Sequence, residues 1–271
     1  MIKKTLYTTI ILIIGLFSGV VWTVCQYYAP PTQREPYKLL HNDDTIRIAY
    51  IGDSWACFHQ NHQCLIPKII EGKCQQPTKV YSCGLSGMTS KSIYEALFQE
   101  GELRLFMQSR GYDYCIISAG LNDTNAKVSL KYYQKSMDYL IQFMLANHIH
   151  PIIIEIPDYD IEKAFRWRPT YKILLGQLSM KINKVPLDCK QMFRDALIEL
   201  IHKKNYQDKT SVIPYKWWNN NYSEDLRNLY IIDGVHLNDY GNEVLDSIIA
   251  KVIINKLYKR SFNNTLHQFA Q

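Results

Sequence analysis

Apolar residues recur along this chain in three rhythms. From Leu6 to Val24 they are almost unbroken (LYTTIILIIGLFSGVVWTV), and no charge falls between Thr5 and Gln33. Such a run approaches the roughly 20 residues needed to cross a hydrocarbon core as a helix. Short apolar bursts then occur at Ile46 to Ile51, Lys79 to Ser82, Tyr114 to Ser118 and Pro151 to Ile156. Bounded by turn residues, these read as buried strands. Between them, 65–74, 90–108 and 129–147 carry helical spacing. Strand and helix alternate, which predicts a parallel sheet flanked by helices.

Beyond Asp158 the pattern is less regular. Leu187 to Lys204 reads as a helix, Ser211 to Tyr215 as a short strand and Lys216 to Tyr222 (KWWNNNY) as a loop. Asn238 is placed to cap a last helix over 239–258, on which Val244, Leu245, Ile248, Ile249 and Val252 share one face. The last dozen residues look frayed. Pro30, Pro31 and Pro36, set among polar residues, mark 29–44 as an extended tether. The organisation expected is a transmembrane signal-anchor with a short cytoplasmic tip (1–28), a linker (29–44), one catalytic domain (45–260) and a tail (261–271).

Composition narrows the class. At 271 residues, 47% hydrophobic and 21% charged, the chain can build one substantial core and is not disordered. The net charge of +6 is spread among acidic residues without a basic stripe, which excludes nucleic acid as an expected partner. Lys3 and Lys4 precede the apolar run, so the N-terminus is expected in the cytoplasm and the rest outside it, periplasmic or extracellular. A cleaved signal peptide fits less well, because the run is long for one and no Ala-x-Ala site follows. Cys25 follows Val24, which is too large for lipoprotein processing. In an exported domain the six later cysteines could form disulfides, with pairing left open. No Cys-x-x-Cys pair occurs, and neither a metal nor another cofactor is expected.

Four short motifs carry the chemistry. Gly52-Asp53-Ser54, Gly84-Leu85-Ser86-Gly87 and Gly120-Leu121-Asn122-Asp123 follow the first three strands, and Asp233-Gly234-Val235-His236 precedes the last helix. In open parallel sheets, ligands bind at the carboxyl ends of the strands. A serine hydroxyl needs an adjacent base to become a nucleophile. His236 can serve Ser54 in that role, with Asp233 fixing the imidazole from its far side. The oxyanion formed by attack on an ester needs donors, which the backbone N–H groups of Ser54 and Gly87 and the amide of Asn122 could supply. Asp53 and Asp123 read as turn-bracing residues.

These blocks, in this order, resemble the SGNH hydrolase (GDSL esterase) family over about 45–258. The resemblance implies a flavodoxin-like three-layer α/β/α fold with a mostly parallel sheet, and metal-free hydrolysis of ester, thioester or O-acetyl groups; some relatives transfer the acyl group instead. It maps the four named residues onto Ser54, Gly87, Asn122 and His236, with Asp233 as the triad acid. Trp55 stands where the family often has leucine and Ser82 where it usually has asparagine.

His59 and His62 have no aspartate at partner spacing and read as surface or substrate-proximal. Twenty tyrosines and five tryptophans mostly suit a core or its boundary. Trp55, Trp217 and Trp218 are candidate substrate contacts, since indole faces stack on sugar rings. The expected function is hydrolysis of an O-acyl ester, O-acetyl above all, on a cell-envelope or extracellular glycan through an acyl-serine. An O-acyltransferase acting on a glycan hydroxyl and a non-catalytic glycan-binding module are the alternatives.

Overall fold

The computed structural model describes residues 2–39, 45–219 and 221–269. Its strands are β1 (Ile46–Gly52), β2 (Thr78–Gly84), β3 (Tyr114–Ser118), β4 (His150–Ile154) and β5 (Ser211–Ile213). They form one sheet in the order β2-β1-β3-β4-β5, every pair parallel. This is the flavodoxin-like order, with a switch point between β1 and β3. All five residues of β3 are buried, as expected of a strand covered on both faces and therefore apolar without alternation. Edge strand β2 is only partly covered, and its Lys79 faces solvent.

The helices are α1 (Ile2–Tyr28), α2 (Ser54–His59), α3 (Ile66–Cys74), α4 (Ser90–Ala96), α5 (Glu102–Gln108), α6 (Leu121–Ala126), α7 (Leu130–Ala146), α8 (Ile161–Arg166), α9 (Thr170–Asn183), α10 (Lys190–Lys203), α11 (Tyr222–Asn228) and α12 (Asp239–Phe269). Against the sheet, α12 packs on α3, while α4 and α10 pack on α7. Ser129 caps α7 through its Oγ, which accepts from the N–H of Tyr132 at 3.1 Å. Asn238 caps α12 as its sequence position predicts: Oδ1 accepts from the N–H of Gly241 at 2.8 Å.

Several elements differ from expectation. The helix expected over 90–108 is two, α4 and α5, broken before Gly101, whose backbone is extended. The short helices α2, α6, α8 and α11 and the longer α9 carry no legible period, and the strand expected over 211–215 stops at Ile213, with a 3-10 turn at Tyr215–Trp217 leading into the expected 216–222 loop. Past Tyr258, where the helix was expected to end, α12 continues to Phe269. No Gly or Pro interrupts that stretch.

Over Thr9–Tyr28, α1 is long and apolar enough to cross a membrane, and none of that stretch is buried. The segment that follows is extended and lies on the sheet domain. Lys91 Nζ donates to the carbonyls of Gln26 and Ala29 at 2.8 and 2.9 Å. The N–H of Arg34 donates to Tyr94 Oη and that of Leu39 to Asn147 Oδ1, both at 2.8 Å. Tyr37 sets its ring against Phe98 and Phe143. The end of the expected tether, 40–44, lies outside the described residues. All seven cysteines are free thiols.

Candidate active site

Ser54 is placed by a strand end and a cap. Where β1 stops, the N–H of Asp53 donates to Ser118 O at 3.0 Å, and Asp53 Oδ1 accepts from the N–H of Trp55 at 3.0 Å. Asp53 thus caps α2, as its bracing reading anticipated, and Ser54 is the first residue of that helix. The end of β2 must come very close to it. A Cβ on Gly84 would lie 1.9 Å from the backbone nitrogen of Cys57, so only glycine lets α2 seat there.

His236 is delivered by a tight loop before α12. The N–H of Ile231 donates to His236 O and that of Gly234 to Ile231 O, both at 2.9 Å. Asp233 divides its carboxylate: Oδ1 accepts from the N–H groups of Val235 (2.8 Å) and His236 (3.0 Å), while Oδ2 lies 2.6 Å from His236 Nδ1. Gly234 makes the turn possible, with φ at +69° and Tyr222 Oη donating to its carbonyl at 2.7 Å. A Cβ there would also meet that hydroxyl at 2.7 Å.

Across 182 positions of sequence, His236 Nε2 lies 2.7 Å from Ser54 Oγ. With a proton on Nδ1 held by Asp233, Nε2 offers its lone pair to the serine hydroxyl. Burial pushes the Asp233 carboxyl up, but hydrogen bonds from the His236 ring and from the His236 and Val235 backbone outweigh it and leave it below its ordinary value. It stays ionised. Phe58, one turn along α2 from Ser54, stacks flat on the imidazole at 4.2 Å and 7°. No local pattern signals that contact, because the ring it covers arrives from the other end of the chain.

The second and third motifs also meet. Asn122, in the first turn of α6, donates through Nδ2 to Met88 O at 3.0 Å, which ties its amide to the turn containing Gly87. Gly87 and Asn122 line one groove of about 360 Å³, whose other walls include Val24 and Tyr27 of α1 and Tyr171 and Leu175 of α9. Asp123 braces the turns from below: Oδ2 accepts from the N–H of Ser90 at 2.8 Å and Oδ1 from its hydroxyl at 2.5 Å. Burial pushes Asp53 up to about 7 and Asp123 up to about 6.

The aromatic candidates separate. Trp55 and Trp218 are buried against each other, ring centroids 5.4 Å apart, because α2 turns the residue after Ser54 inward. Neither presents a face for stacking on a ligand. Trp217 is 56% exposed and does. Of the amides beside it, Asn219 is buried and donates to Asp158 O at 3.2 Å, and Asn220 lies outside the described residues.

His59 also departs from expectation. It is 2% exposed, with Nε2 2.9 Å from Asp246 Oδ1 and Nδ1 3.2 Å from Ser82 Oγ. Its aspartate does exist, 187 positions away on α12, where no local spacing rule reaches.

The sequence matches no family model and no curated protein. Solved structures do match. A lipase/acylhydrolase from Enterococcus faecalis aligns over 78% of this chain and 96% of its own, at 17% identity and a TM-score of 0.52. A psychrotrophic esterase from Pseudoalteromonas sp., inhibited by monoethylphosphonate, aligns over 80% of this chain and 100% of its own, at 16% identity and a TM-score of 0.50. Sheet order, motif order and these alignments agree that the chain has the fold of the SGNH (GDSL) lipases and acylhydrolases.

Proposed function

We propose that the protein is a serine esterase that cleaves an O-acyl ester through an acyl-Ser54 intermediate. The observation that carries this is the unbroken chain from Ser54 Oγ to His236 Nε2 at 2.7 Å and from His236 Nδ1 to Asp233 Oδ2 at 2.6 Å. His236 takes the Ser54 proton as Oγ attacks the acyl carbon, then passes it to the leaving alcohol. In the second half it takes a proton from water, whose oxygen attacks the acyl-enzyme and frees Ser54. Asp233, ionised throughout, favours the imidazolium formed in each half. The backbone N–H groups of Ser54 and Gly87 and the amide of Asn122 are assigned to the oxyanion.

The substrate proposed is an acylated glycan, O-acetylated above all, at the cell envelope or outside the cell. Its supports are α1, which suits a single-pass anchor behind two lysines, and exposed Trp217 as a stacking face. The test is a screen of short-chain aryl esters and acetylated sugars with wild type and Ser54→Ala. Turnover in the first and none in the second supports the reading; equal turnover in both, or failure of a fluorophosphonate to label Ser54, ends it.

A further inference from the structure

Behind the nucleophile, three metal-binding side chains converge and a fourth, His62, stands beside them. The ligand atoms of His59, Cys64 and Asp246 all lie within 4.8 Å of one another, and His59 and Asp246 are almost wholly buried. The His62 side chain is 5% exposed and its Nε2 is 3.8 Å from Asp246 Oδ2. That nitrogen is buried with no hydrogen-bond partner, which costs free energy unless something binds it. We propose that His59, Cys64 and Asp246 hold one divalent transition metal of the zinc class, and that the His62 ring turns in to complete a tetrahedral N2SO set.

The chemistry of the group favours a cation. When His59 donates from Nδ1 to Ser82 Oγ, its Nε2 lone pair faces the Asp246 carboxylate at 2.9 Å, and two acceptors face each other. A proton on Nε2 relieves that pair but leaves His62 Nε2 orphaned. A bound cation favours the thiolate form of Cys64, which is the form that ligates metal. The N–H of Leu65 already orients Asp246, donating to Oδ2 at 2.7 Å, the supporting bond that metal ligands characteristically receive.

Four protein ligands close a tetrahedral shell, so the metal is structural. It joins the end of α2, whose first residue is Ser54, to α12, which follows the His236 loop. The full chain, purified in detergent with zinc(II) supplied, is expected to retain stoichiometric zinc by mass spectrometry, and to lose thermal stability when a chelator removes it. Cobalt(II) in place of zinc should give a thiolate charge-transfer band, a readout that needs no variant; His62→Ala and Cys64→Ser should lower zinc content. Wild type that retains no zinc and shows no cobalt band, or full retention in folded Cys64→Ser, overturns the site.

A separate observation concerns α9. Tyr171, Leu174, Leu178 and Ile182, spaced to share one face, are 50% to 68% exposed, and Trp167 just before the helix is 69% exposed. Its inward face is the polar one: Ser179 Oγ and Asn183 Nδ2 donate to Lys127 O. The helix is amphipathic inside out. From 163 to 187 the chain carries Lys163, Arg166, Arg168, Lys172, Lys181 and Lys184 and no acidic residue, and α9 shares a groove with the last turns of α1.

We infer that α9 lies in the interface of an anionic bilayer, apolar side chains inserted and the basic ones on headgroups. This rests on α1 being the membrane span. The full chain in nanodiscs containing phosphatidylglycerol brominated near the headgroup should lose Trp167 emission, read as the difference between wild type and Trp167→Phe. Trp22 on α1, quenched by lipid brominated deep in the chains, reports separately that α1 is inserted. Inserted α1 with equal quenching in wild type and Trp167→Phe overturns the docking of α9 alone; unquenched Trp22 overturns the span and the docking with it.

Discussion

At the scale of single residues, the site can be tested by charge and by shape. Asp233→Asn keeps the size of the side chain but cannot hold the Nδ1–H tautomer as a carboxylate does, so kcat should fall by roughly 10⁴-fold. Asn122→Ala removes one assigned oxyanion donor and should cost on the order of a hundredfold in kcat, with KM little changed. Phe58→Ala exposes the imidazole face and forfeits a contact worth about 1 kcal/mol, or roughly fivefold in kcat if the ring loses its placement. Asp53 acts on stability. Its carboxyl is pushed up to about 7 when folded, against an ordinary 3.8, so the native state holds its proton where the unfolded chain has released it. That contribution is complete below the unfolded value and is lost as pH rises through about 7. Denaturant unfolding between pH 5 and pH 8 should show stability falling, with a shallower fall in Asp53→Asn. Asp233 and His236 were readable because three residues of spacing bring them together locally. Phe58, His59 and Asp246 were not, since each partner lies on the far side of the sequence.

At the scale of elements, the strands were legible and the short helices were not. A parallel strand buried on both faces announces itself as a run such as Tyr-Cys-Ile-Ile-Ser in β3, whereas six residues of α2 or α6 hold too few turns to display a period. α9 was hidden for the opposite reason: its apolar face points outward and its inner face holds Gly176, Ser179 and Asn183, so periodicity alone gives no direction. Packing of α2 on β2 is the sharpest local demand. Gly84→Ala places a methyl 1.9 Å from backbone, which no rotamer relieves, and should cost roughly 3 kcal/mol by chemical denaturation. Ser129→Ala, by contrast, loses only the cap of α7 and should cost about 1 kcal/mol.

At the scale of the whole molecule, the segment after α1 acts as a strap as well as a spacer. Removing residues 1–28 should leave the thermal midpoint of the domain nearly unchanged. Removing 1–39 also strips Tyr37 from between Phe98 and Phe143 and the bonds of Arg34 and Leu39, and should lower it by several degrees by calorimetry. The amino-acid sequence alone determined the alternation of strand and helix, the apolar first helix, and four motifs whose residue types suit acyl transfer. Those are properties of neighbours along the chain, where spacing and side-chain chemistry act directly. Only the tertiary structure decided that Ser54 meets His236, that Trp55 and Trp218 face inward, that His59 finds Asp246, and that α9 turns Leu174 and Leu178 out. Each depends on where the parallel sheet sets segments far apart in sequence, and contact across such distances is fixed by packing of the whole core.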